Sequence, residues 1–157
     1  MRPPVPLRLA LAGCALSITA LVAVACSEAT SNPATVEVAG EPVPSGQLSA
    51  VADAVCRAAS EAAAGDPTGA GQTFLGQAHD GIHLIARGLQ ARDRRESANV
   101  LVAKQAVEAD IAGGANGPKL AADLERLAGA TRSGLARLGL AVPTCPHPRP
   151  APSPAHR

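Results

Sequence analysis

The chain has 157 residues with 14 Lys+Arg, 13 Asp+Glu and 4 His, a formal net charge of +1. That balance offers no basic stripe for neutralising phosphates, so nucleic acid is excluded as a partner on charge grounds. Tyr and Trp are absent and Phe74 is the only aromatic residue, which removes the ring platforms on which bases and sugars stack.

The N-terminus opens with Arg2 and Arg8 around an apolar run, Leu9 to Ala25, and turns polar at once after Cys26. A basic start, an apolar stretch and small residues before a cut describe an export signal, here residues 1–25. Ala23-Val24-Ala25-Cys26 resembles the lipobox of bacterial lipoproteins, whose cysteine becomes the lipidated first residue. A second such match, Leu11-Ala12-Gly13-Cys14, lies inside the apolar run; cutting there would leave residues 15–25 on the mature protein, so Cys26 is favoured. Two alternatives stand beside it. Ala23-Val24-Ala25 also fits ordinary signal cleavage, which would release a secreted protein, and Leu9 to Ala25 is near the short limit of an uncleaved membrane anchor.

Removing residues 1–25, which carry two arginines and no acid, leaves 132 residues with 12 Lys+Arg against 13 Asp+Glu. That length suits one small domain. Two cysteines then remain unassigned, Cys56 and Cys145, in a compartment that permits disulfides. No Cys-x-x-Cys or other metal spacing competes, so they are expected to pair and to staple the helical region from its first helix to its end.

Residues 26–45 are rich in Ser, Thr, Glu, Pro and Gly and are expected to form a flexible tether. Residues 46–142 carry four helical periods and no convincing strand alternation. The first helix is expected from about Gly46 to Ala64, ended by Gly65-Asp66-Pro67. The second is expected from about Gln72 to Arg92, with Phe74, Ala78, Ile82, Ile85 and Leu89 as its stripe. Gly76, Gly81 and Gly88 are expected to weaken it by about 1 kcal/mol each relative to Ala. The third starts after Asp93, with Glu96 placed for a capping box, and closes at Gly113-Gly114. The fourth follows Asn116-Gly117-Pro118 and carries the strongest period, from Leu120 to Leu138. From Pro143 the chain is a Pro-rich tail, expected to stay extended and solvated. Short connections suit antiparallel neighbours, so the fold class is all-α, an up-down four-helix bundle with an alanine-rich core.

The one constellation with chemistry is His79-Asp80-Gly81-Ile82-His83. Imidazoles four apart lie one turn above each other and can chelate a metal, zinc or copper, with Glu108 or Asp110 from the next helix as third ligand. The spacing is that of the H-E-x-x-H metalloproteases, but Asp80 stands where the longer Glu is needed. The plainer reading is a pair of partly exposed histidines bonded to water or to a neighbouring helix. His147 and His156 lie in the tail, and Arg92, Asp93, Arg94, Arg95 and Glu96 read as a solvated, self-paired charge cluster. Ser60, Ser97 and Ser133 sit inside helical periods without a nucleophile elbow, and no phosphate-binding glycine motif occurs, so no enzymatic activity is expected.

Taken together, Cys26, the stretch Phe74 to Leu84 with its paired histidines, Ala103-Lys104-Gln105-Ala106-Val107-Glu108 and Pro143-Thr144-Cys145 resemble small helical lipoproteins of actinobacterial type. The resemblance implies a bundle anchored on the outer face of the cell membrane through a lipid on Cys26. It implies no activity and names no protein partner.

Overall fold

The computed structural model describes residues 33–145; the signal stretch, Cys14, Cys26 and the tail beyond Cys145 lie outside the described residues. The described part is a bundle of packed helices preceded by a small hairpin. Strands β1 (Thr35–Val38) and β2 (Glu41–Pro44) pair antiparallel, with Val36 opposite Val43. Helix α1 spans Ser45–Ala63 and α2 Pro67–Thr73. A π-helical turn, Phe74–Ala78, continues without a break into α3 (His79–Gln90). Helix α4 runs Arg94–Ala112 and α5 Gly117–Arg137.

The hairpin corrects the expected tether. Val36, Val38 and Val43 are buried while Thr35, Glu37, Glu41 and Pro42 face out, the alternation of a half-buried sheet. Its two-residue turn is Ala39-Gly40, both at positive φ (53° and 86°), the mirror-image geometry that matches strand twist. Ser45 then fixes the hairpin's exit by donating from its hydroxyl and its backbone N–H to the Ala34 carbonyl.

The four helical rods pack as a closed ring: α1 against α5, α5 against α4, α4 against α3, and α1 back against α2, the π turn and α3. Leu48, Val55, Phe74, Ile82, Leu89 and Leu124 fill the centre. Helix α1 brings five buried alanines (Ala52, Ala54, Ala58, Ala59, Ala62), which let its neighbours approach closely but bury little apolar area each.

The helix ends follow local chemistry. Asp66, Asp93 and Asn116 each accept the backbone N–H three residues on, and Pro67 and Pro118 sit in first turns where no N–H is needed. Only half of the expected capping box forms. The Asp93 N–H is already donated to the Leu89 carbonyl closing α3, and Glu96 accepts from Asn99 instead. Gly139, at φ +77°, closes α5, where Leu140 N–H reaches the Leu135 carbonyl. The charge cluster at 92–96 is not self-paired. Arg92 donates to the Leu138 carbonyl, and Asp93 lies 3.7 Å from Arg137, so it ties the α3–α4 corner to the end of α5.

Two of the three glycines expected to weaken the second helix are contact points. A Cβ on Gly81 would stand 2.1 Å from Val51 Cγ2, and one on Gly88 would stand 3.3 Å from Val38 and 3.4 Å from Leu138. Gly81 is therefore a point where α3 packs closely against Val51 of α1. Val51 is β-branched and stiff at χ1, so it cannot swing clear. Gly81→Ala should destabilise the domain by about 1–3 kcal/mol in urea unfolding, against the gain that helix propensity alone would give. Gly76→Ala, where a Cβ meets nothing within 4 Å, should not.

Candidate functional site

His79 sits at the junction that the π turn creates. Its backbone N–H donates to the Phe74 carbonyl five residues back, which stacks His79 over Phe74 rather than one turn further round. The two rings meet edge to face with centroids 6.0 Å apart. Phe74 is fully buried, and the His79 side chain is 30% exposed at the rim of the α3–α4 contact.

Three side chains converge there. His79 Nε2 lies 2.7 Å from Glu108 Oε1 and 3.0 Å from Lys104 Nζ, and Lys104 Nζ donates to Glu108 Oε1 at 2.7 Å. The other ring nitrogen, Nδ1, lies 2.8 Å from Asp80 Oδ1. Lys104 is almost wholly buried, only 3% exposed, one turn before Glu108 on α4. Its ammonium, hydrogen-bonded to Glu108, holds that carboxyl below the usual glutamate range; burial opposes this and the neighbouring His79 adds to it.

The expected metal set is only partly assembled. His79 and Glu108 do meet, but Lys104 brings a positive charge onto the same atoms. His83 is exposed, its ring edge-on to His79 at 5.9 Å between centroids. Asp110 belongs to a different cluster: Lys119 donates to both Asp110 and Asp123, and Arg126 pairs with Asp123. Among the described residues, no group of three or more His, Cys, Asp and Glu is arranged to hold a metal ion.

In the second cluster Asp110 and Asp123 are both buried. Burial pushes the Asp123 carboxyl up, and its neighbours Asp110, Lys119 and Arg126 together outweigh that and hold it below its usual value. Lys119 is raised, first by Asp110 and then by Asp123.

The cysteines are joined. Cys56, buried on α1, forms a disulfide with Cys145 beyond α5, with Cα atoms 5.1 Å apart. The tail is therefore not free from Pro143 onward, because the chain is held to α1 as far as Cys145.

The sequence reading missed the lysines. The chain has two, Lys104 and Lys119, against 12 arginines, and each is the ammonium at the centre of an ion cluster. That scarcity was a visible signal. A lysine supplies a compact point charge where arginine's planar fork would need more room. No family model matches the chain, and no curated protein or solved structure matches it significantly.

The two partners of the first cluster should respond unequally to truncation. Glu108→Ala leaves a buried ammonium without its carboxylate and should cost about 2–4 kcal/mol in urea unfolding. Lys104→Met leaves Glu108, whose side chain is 35% exposed, to be hydrated, and should cost under about 1 kcal/mol. The pH dependence has a fixed sign. Because the folded-state value of Glu108 lies below the usual 4.5, its contribution is fully present above that value. It is lost as pH falls through the lower folded value. Glu108→Gln should flatten this acid limb in pH-dependent melts.

Proposed function

We propose that this chain is an exported lipoprotein, tethered to the extracytoplasmic face of the cell membrane through lipidated Cys26, with its helical bundle serving as a non-catalytic interaction or structural module of the cell envelope. The observation that carries this reading is the Cys56–Cys145 disulfide. Disulfides form and persist outside the reducing cytosol, so the bond agrees with the export signal read at residues 1–25. Among the described residues no helix is long and apolar enough to cross a membrane, and the lipid on Cys26 would supply the attachment. Lipidation that is stable needs two acyl chains or a second signal, which a diacylated cysteine provides. The partner would be a protein docking on an exposed helix face.

A second reading, zinc or copper binding through His79 and His83 with Glu108, is favoured by the 2.7 Å approach of His79 to Glu108. It requires the Lys104 ammonium to withdraw, which makes it the weaker of the two. A calorimetric zinc titration lost in His79→Ala/His83→Ala would establish it.

The anchor is tested by fractionating cells that express the full chain or its Cys26→Ala variant. The variant should leave the membrane fraction, and the parent should carry acyl chains on its first mature residue by mass spectrometry. A Cys26→Ala variant that still sediments with membranes removes the lipid anchor from the account.

A further inference from the structure

We propose that the C-terminal segment 146–154 docks on the free edge of β1 as a third, antiparallel strand of the hairpin sheet. The two-residue turn at Ala39-Gly40 makes Val38 and Glu41 a hydrogen-bonded pair, and Val36 with Val43 is the next one. The Ser45 N–H, donated to the Ala34 carbonyl, continues the same series. The N–H and C=O groups of Thr35 and Glu37 therefore point to the other side of β1, away from β2. Both residues are exposed, and no backbone–backbone bond among the described residues reaches those groups.

The two edges of the hairpin are unlike. On β2 the residues whose N–H groups would point outward are Pro42 and Pro44, which have none. That edge cannot donate to another strand, because proline blunts a sheet edge. The β1 edge keeps its donors and acceptors, so it is the one open to strand addition.

Three features of the chain point to its own tail as the occupant. The first is pattern. Pro146, Pro148, Pro150, Pro152 and Pro154 alternate with His147, Arg149, Ala151 and Ser153, the same alternation as Glu41-Pro42-Val43-Pro44 in β2. Successive N–H groups of a strand point to opposite edges, so every donor of such a segment lies along one edge. The segment can pair on that side and close the sheet with its prolines on the other. The second is charge. The hairpin carries Glu37 and Glu41 and no base, whereas residues 146–157 carry His147, Arg149, His156 and Arg157 and no acid. Side chains directly opposite across antiparallel strands share a face, so the basic residues would stand beside Glu37 in solvent and the prolines beside buried Val36 and Val38. The third is reach. Leu138 and Val38 both stand against Gly88, so the chain leaves α5 beside β1. Cys145 is then fixed to Cys56, about 16 Å along α1 from Ser45 at 1.5 Å per residue. Extended chain covers about 3.1 Å per residue, which gives segment 146–154 about 28 Å and brings it to the β1 edge.

A second copy of β1 fits the same edge less well. Antiparallel pairing of β1 with itself would bring two Glu37 carboxylates to neighbouring positions on one face, a like-charge contact.

The test is amide hydrogen exchange by NMR on the full, oxidised chain, read at Thr35 and Glu37. Arg149→Pro/Ala151→Pro/Ser153→Pro removes donors along the pairing edge, and Pro148→Ala/Pro150→Ala/Pro152→Ala leaves them in place. These positions lie beyond the Cys56–Cys145 bond, and the Val36 and Val43 amides report whether the hairpin itself is intact in each variant. The expected result is exchange at Thr35 and Glu37 slowed at least about tenfold against an unpaired amide in the parent and the alanine variant, and unprotected in the proline variant. Unprotected amides in the parent, protection that survives the proline variant, or protection lost in both variants would each overturn the assignment. Protection that rises with protein concentration, together with a dimer mass by light scattering, would give the edge to a second copy and overturn it as well.

Discussion

The bond between Cys56 and Cys145 is the constraint on which the domain depends. It joins the middle of the first helix to the chain after the last, and so closes a loop of 89 residues. In the chain-entropy account a loop of that length restricts the unfolded chain by about 4–5 kcal/mol. The core inside the loop is thin. Helix α1 buries alanines where a larger protein would bury leucines, and Phe74 is the only aromatic ring in the centre. A domain near 110 residues with small core side chains gains less from burial than its length suggests, and a covalent staple offsets that shortfall.

The ion clusters have a different part. Lys104 with Glu108 and His79 sits where α4 meets α3, and Lys119 with Asp110 and Asp123 sits where α5 leaves the α4–α5 corner. Neither adds much net stability, because desolvating the charges opposes their attraction. They differ in where the charge lies: in the second cluster the carboxylates are buried and Lys119 is exposed, whereas the Lys104 ammonium is buried and stands against Glu108, which suits one placement of α4 on α3. The π turn at Phe74–Ala78 belongs to the same arrangement, since it brings His79 round to meet Glu108.

Much of the bundle was legible in the sequence. The 3.6-residue period of Leu120 to Leu138, the cap at Asp93 and the helix start after Asn116-Gly117 each act through neighbours in the chain, so local reasoning reaches them. The hairpin was not legible, because Thr35 to Pro44 alternates over only a few residues and its turn is Ala-Gly rather than Asn-Gly or Asp-Gly. Gly81 was misjudged for the opposite reason. Propensity sees a missing side chain, while its use depends on Val51, thirty residues away. At the candidate site the sequence pointed to His79 and Glu108 but not to Lys104, because a lysine in a helix is expected at the surface. The shift of register by the π turn leaves no mark that periodicity alone can read. Asp110 was grouped with the histidines by its position on α4, but it faces α5, not α3.

The most direct test of this account is urea unfolding of the full chain beside its Cys56→Ala/Cys145→Ala double variant. If the staple carries a thin core, the double variant should lose about 2–5 kcal/mol and unfold at a markedly lower urea concentration. Equal unfolding midpoints for the two chains would show that the helices hold together without the bond and would contradict the account at its centre.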